Sequence, residues 1–180
     1  LAEMLALLRD FYPYSEAMRA GEVWPKRGAS HELYGKRVGI ISASLVGRRV
    51  IKLLEPFRTD TLVYDPYLPL PEAQRLGVKL AALDTIMSTC DVISIHAPVT
   101  DETIGMITAD LLKMIRPGAV FINTARAAVV DYDALYAELA TGRFKAALDV
   151  FPHEPLAADS PFRALPNVIP VGESGQRWPL

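Results

Sequence analysis

The chain has 180 residues, 51% of them hydrophobic, with 19 Lys and Arg against 21 Asp and Glu and a formal net charge of −2. That length suits one substantial core rather than two full domains, and near-neutral charge without a basic run excludes the electrostatic footprint of a nucleic-acid binder. No apolar run reaches the roughly 18 residues of a membrane helix, the N-terminus has no charged leader with a cleavage site, and the single cysteine, Cys90, beside an apolar run, is expected to be a buried inert thiol; the expectation is a cytoplasmic protein with no membrane partner.

In chain order, LAEMLALLRDF sets Leu1, Met4, Leu5 and Leu8 at helical spacing and predicts an amphipathic helix from Leu1 to Phe11. The stretch AGEVWPKRGASHELYG is broken by Gly21, Pro25, Gly28 and Gly35 and reads as a connecting segment. From Lys36 onward, the strand candidates RVGII, TLVYD, DVISIHA, AVFINTA and KAALDV alternate with helical stretches at 44–54, 71–76, 83–89, 108–115 and 131–141. Their unbroken hydrophobicity suits strands covered on both faces. Asp84, Thr108 and Asp131 are candidate N-caps, and Gly142 stands where a helix C-terminal glycine belongs. This alternation predicts an α/β fold, a doubly wound parallel sheet, divided as helix and linker (1–30), sheet domain (31–171) and an aperiodic tail, GESGQRWPL (172–180).

In such a sheet the ligand sits beyond the carboxyl ends of the strands. After the first strand, SASLVG puts Ser42, Ser44 and Gly47 where G-x-G-x-x-G has its glycines, with Leu45 and Val46 between them. The glycine that lets the helix pack on the strand is kept. A Cβ at position 42 costs about 1–2 kcal/mol if the turn needs positive φ, and the Ser44 hydroxyl can donate to a phosphate. Taken alone, the segment also reads as an ordinary strand-turn-helix. After the second strand comes Asp65-Pro66, in VYDPY. An acid there accepts bonds from the adenosine ribose hydroxyls and repels a 2′-phosphate, favouring NAD over NADP; a turn-forming Asp-Pro is the plain alternative.

The remaining strand ends read SIHAPVTDETIGMI, FINTARAAVVD and ALDVFPHEP. Together with LYGKRVGII and VYDPY, from about Leu1 to Val171, they closely resemble the cofactor domain of the D-isomer-specific 2-hydroxyacid dehydrogenases; NTAR…VD and LDVF…EP at this separation are the most specific strings. The resemblance implies a Rossmann-like NAD-binding domain, reversible hydride transfer between nicotinamide and C2 of a small D-2-hydroxy or 2-oxo acid, and no metal. It implies that Arg126 grips the substrate's carboxylate and carbonyl oxygen, for which a planar, always-charged guanidinium is suited. It makes Glu154 the acid that raises the pKa of a catalytic histidine and Asp149 the group that holds the nicotinamide carboxamide. It places His96, Ala97, Pro98 and Thr103, with the backbone around Thr124 and Ala125, along the cofactor; for His96 a structural role at the strand end is equally open. Family members read Gly-Ala-Ser-x-Val-Gly at the first turn, so Ser44 is a family variant and Ser42 the departure.

The family histidine follows the strand after LPNV in a Pro-His pair, and here Gly172 and Glu173 fall at that place. A carboxylate cannot simply replace imidazole, being deprotonated near neutral pH and facing Glu154 as a like charge. His153 adjoins Glu154, but neighbours in an extended segment point to opposite faces. His31 lies in the linker, and the three histidines form no metal-ligand cluster. The family's substrate domain is largely absent from these 180 residues, and the start at Leu1 with the aperiodic tail also suits an incomplete reading of a longer gene. The expectation is the NAD-binding portion of a dehydrogenase, slow or inactive as it stands. It would pair as a homodimer through the first helix and the Trp24 linker, whose apolar face needs cover. The alternative is a non-catalytic dinucleotide-sensing or corepressor-like interaction module on the same fold.

Overall fold

The computed structural model describes residues 1–24 and 31–171. Strands β1 (Arg37–Ile41), β2 (Asp60–Tyr64), β3 (Lys79–Leu80), β4 (Val92–Ile95), β5 (Val120–Asn123), β6 (Lys145–Leu148) and β7 (Val168–Pro170) form one parallel sheet in the order β3-β2-β1-β4-β5-β6-β7. Among the described residues seven α-helices accompany it: α1 (Ala2–Leu8), α2 (Phe11–Arg19), α3 (Leu45–Leu54), α4 (Leu70–Arg75), α5 (Leu83–Thr89), α6 (Ala109–Lys113) and α7 (Tyr132–Ala140). The direction of winding reverses between β1 and β4, and a ligand crevice opens at that switch point.

Alternation along each strand builds two cores. Ile41, Ile93, Ile95, Phe121 and Leu148 pack on one face against Ile86 and Met87 of α5, Leu112 of α6, and Leu135 and Leu139 of α7. Val38, Ile40, Val92, Val120 and Ile122 face the other way, against Met4, Leu7 and Leu8 of α1, Val50, Ile51 and Leu54 of α3, and Ala73 of α4. Both faces are covered, and β4 and β5 are buried along their whole length.

The expected doubly wound sheet is present, with local differences. The single helix expected over Leu1 to Phe11 is two, because Asp10 takes the left-handed conformation (φ 52) and its carboxylate pairs with the Lys145 ammonium. Its first part, α1, packs into the sheet's core rather than standing with the linker outside it. The two-residue β3 was too short to show a period. Thr108 and Asp131 cap α6 and α7, accepting from the amides of Leu111 at 3.4 Å and Ala134 at 3.0 Å. Asp84 is not a cap: α5 begins earlier, after Ala82, and Asp84 sits inside its first turn.

The turn from β1 into α3 is the feature that positions the site. Ser42 adopts φ 76, the left-handed region that its sequence position raised as a cost. A Cβ on Gly47 would lie 2.2 Å from the Ser42 carbonyl oxygen, so no side chain is tolerated there. Ser44 caps α3: its hydroxyl accepts from the Gly47 amide at 3.3 Å and donates to the His96 carbonyl at 2.9 Å, across the switch point from β1 to β4. The His96 ring is buried with Nε2 3.0 Å from Ser94 Oγ, and burial pushes its pKa down to about 4.

Ser42→Gly should therefore stabilise the fold by about 0.5–1 kcal/mol by relieving the left-handed strain. Gly47→Ala should cost about 1–3 kcal/mol or more through overpacking; urea denaturation midpoints check both. Because the His96 ring titrates lower in the folded chain than its ordinary 6.5, the stability tied to its neutral form is complete above pH 6.5 and is lost as pH falls toward about 4. The stability difference between the wild type and His96→Gln, measured by denaturation at each pH, should shrink over that window.

Candidate active site

Because the strands run parallel, the residues that follow them collect along one rim. Two of the cavities that open there hold the predicted site residues. The first, about 530 Å³, spans the ends of β2, β1 and β4 and is lined by Ser42, Asp65, Pro66, Ala97, Pro98 and Thr103 among others. The Asp65 carboxylate accepts from the Ala43 amide at 2.9 Å, from the Ser42 hydroxyl at 3.4 Å, and from the Tyr67 amide at 2.9 Å. The turn-forming reading of Asp65 is therefore realised, and the same group braces the strained Ser42 turn. Each carboxylate oxygen has about two acceptor positions, so Oδ1, which takes only the Tyr67 amide, can still accept from a ribose hydroxyl.

Thr103 shapes the far wall, donating to the Pro98 carbonyl at 2.7 Å and accepting from the Thr100 amide at 2.8 Å. His96 differs from its neighbours Ala97 and Pro98: its ring is turned into the interior, and its contribution at the crevice is the carbonyl that holds Ser44. The Ser44 proton, expected to be available to a phosphate, is directed to that carbonyl instead. Leu45 and Val46, 87% and 60% exposed, head α3, where the first amides and the helix dipole favour an anion. Close approach at Gly47, an acceptor at Asp65 and a helix N-terminus between them fit a dinucleotide, with its pyrophosphate at α3 and its adenosine in the 530 Å³ cavity.

The second cavity, about 1140 Å³, lies beyond β5 and β6 and is lined by Arg126, Tyr132, Phe151, His153 and Glu154 among others. It unites the two predicted catalytic residues from separate loops. Arg126 is exposed on the cavity lining and donates one guanidinium N–H to the Ala125 carbonyl at 2.6 Å, one of the five N–H donors of the group. Glu154 accepts from the Phe151 amide at 2.9 Å through Oε1. Burial, and secondarily the charge of Glu154, raise the pKa of the half-buried Asp149. His153 lines the cavity alongside Glu154, because residues 152–155 form bends rather than extended strand. Thr124 is exposed and Ala125 half-buried at the start of the Arg126 loop. Gly172 and Glu173 lie outside the described residues.

Asn123, not among the residues expected at the site, is wholly buried at the end of β5. Its amide donates to the Arg126 carbonyl at 3.0 Å and the Tyr132 hydroxyl at 3.3 Å, and its oxygen accepts from the Ala125 amide at 3.1 Å. Tyr132 in turn donates to the Val150 carbonyl at 2.5 Å, and burial raises its phenol pKa and keeps it protonated. One buried network thus supports both the Arg126 loop and the segment leading to Glu154. The available signal was an asparagine ending an otherwise apolar strand, since a buried amide must find partners.

Comparison with known proteins agrees with this geometry. The sequence profile of the family "D-isomer specific 2-hydroxyacid dehydrogenase, NAD binding domain" matches residues 1–171. A D-3-phosphoglycerate dehydrogenase of Archaeoglobus fulgidus is 36% identical over 170 residues, which cover 94% of this chain and 32% of the relative. A phosphoglycerate oxidoreductase from Rhizobium etli superposes with a TM-score of 0.86 at 34% identity, over 93% of this chain and 52% of that one. The NAD-dependent formate dehydrogenase from Staphylococcus aureus, in complex with NAD, gives a TM-score of 0.86 at 31% identity, over 95% and 52% of the two chains. The chain thus spans from about a third to about half of these relatives. A crevice suited to a dinucleotide, on a sheet wound as in those dehydrogenases, and a profile match over nearly the whole chain place this protein in the D-isomer-specific 2-hydroxyacid dehydrogenase family, as its NAD-binding domain.

Proposed function

We propose that the chain is the cofactor-binding portion of an NAD-dependent D-2-hydroxyacid dehydrogenase acting on a small 2-hydroxy or 2-oxo acid. The observation that carries this reading is the shared cavity of Arg126 and Glu154 beside the dinucleotide crevice. The curated relatives are named D-3-phosphoglycerate dehydrogenases, and 3-phosphoglycerate is itself a D-2-hydroxy acid. A cytoplasmic setting belongs to the reading.

In this reading Arg126 binds the substrate's carboxylate and carbonyl oxygen with its two-pronged fork, fixing the oxo acid and polarising the C2 carbonyl. Asp149 orients the carboxamide end of the cofactor. Glu154, anchored by the Phe151 amide, is poised to raise the pKa of an imidazole and so keep a proton available for the carbonyl oxygen. Bound NADH supplies the hydride; the protein supplies orientation and electrostatics.

Gly172 and Glu173 offer no imidazole where the family places one. The 180-residue chain should therefore reduce glyoxylate, hydroxypyruvate or pyruvate with NADH far more slowly than an ordinary enzyme rate of about 10 per second; steady-state turnover near that rate overturns the assignment of roles.

The same proposal includes a homodimer. Phe11, Met18, Val23 and Trp24 are 61%, 56%, 88% and 85% exposed along α2 and the segment after it, an apolar strip that a second copy would cover. Light scattering should return twice the chain mass, and Trp24→Ala should weaken the association. A monomeric mass for the wild type at micromolar concentration removes the dimer.

A further inference from the structure

The rim of the 530 Å³ cavity carries a side-chain bridge between two loops. Tyr67, in the turn after β2, donates its hydroxyl to Glu102 Oε2 at 2.5 Å, and Glu102 belongs to the loop after β4. The other end of the same turn is anchored by the Tyr67 amide on Asp65 at 2.9 Å. Strand β1 lies between β2 and β4, so Asp65 and Glu102 come from opposite sides of it, with Ser42 of the central turn lining the cavity between them.

A lone exposed glutamate samples many rotamers and presents a diffuse charge. The bond from Tyr67 removes much of that freedom. The carboxylate in turn raises the phenol's pKa, so the bridging proton stays on Tyr67. Among the described residues lining the cavity there are three carboxylates, Asp65, Asp101 and Glu102, and no lysine or arginine. A 2′-phosphate brings a charge of about −1.5 to −2, and sites that accept one supply an arginine for it.

Resting on the assignment of this cavity to the adenosine, we propose that Glu102 is a second specificity-determining residue. Tyr67, as a positioning residue, fixes the Glu102 carboxylate at the rim, where it disfavours the 2′-phosphate of NADP and adds to the selectivity supplied by Asp65. Because the group is exposed, its effect is screened by salt.

The test is titration of the protein with NAD⁺ and with NADP⁺, reading the ratio of the two Kd values. Glu102→Gln keeps the side-chain shape and an acceptor for the Tyr67 hydroxyl but removes the charge. The NADP⁺-to-NAD⁺ Kd ratio should fall at least threefold, and the fall should shrink in 0.5 M salt. Asp101→Asn removes a charge from the same cavity and should move the ratio less. A Glu102→Gln ratio equal to the wild-type ratio overturns the proposal, as does an equal fall in Asp101→Asn, which would reduce the effect to a diffuse field. If the wild type binds neither dinucleotide at millimolar concentration, the assignment of the cavity fails, and the role of Glu102 with it. That result is distinct from a wild type that binds and a variant that does not differ.

Discussion

The site depends on how closely α3 approaches the turn after β1. Only a residue without a Cβ can stand over the Ser42 carbonyl, where one would come within 2.2 Å, and Gly47 is that residue. The contact seats the helix N-terminus on the edge of the sheet instead of a side chain's width above it. The helix dipole and its first amides are thereby aimed into the switch-point crevice. A larger residue at 47 would lift the helix and draw the Ser44 cap away from the His96 carbonyl, which it holds across the crevice at 2.9 Å.

The chain carries a strained residue at this contact and compensates for it nearby. Ser42 sits at φ 76, where glycine is the usual occupant. The Asp65 carboxylate accepts from both the Ser42 hydroxyl and the Ala43 amide, so the next strand's end braces the turn. Asn123 braces the Arg126 loop through the Arg126 carbonyl, and Tyr132 braces the segment leading to Glu154 through the Val150 carbonyl. In both places a side chain held by the fold fixes loop backbone at the rim, leaving the exposed groups above to meet a ligand.

Much of this was visible in the order of residues. Unbroken apolar runs such as DVISIHA and AVFINTA announced strands buried on both faces, and their alternation with short helices predicted a doubly wound sheet, because a right-handed crossover between parallel strands leaves few other arrangements. Gly47 and Asp65 stood out by spacing and by following a strand, while Arg126 and Glu154 were singled out by the family resemblance of the strings that hold them. The differences are local: α1 and α2 divide at Asp10 because a left-handed residue paired to Lys145 overrides the helical spacing of the leucines, and Asp84 is not the cap because α5 starts at Leu83 with Ala82 at its N-cap.

What the sequence determined by itself was the class of fold and the chemistry of the residues at its edge, since periodicity and residue type are local properties. What only the tertiary structure decided was which of those residues share a space. Arg126 and Glu154, 28 positions apart, line one cavity because β5 and β6 run side by side in the same direction. Tyr67 meets Glu102 because the sheet order puts the ends of β2 and β4 on either side of β1. The inward turn of His96 was likewise settled by burial beside Ser94. Such proximities arise from strand order and packing between distant segments, and no local pattern of residues encodes them.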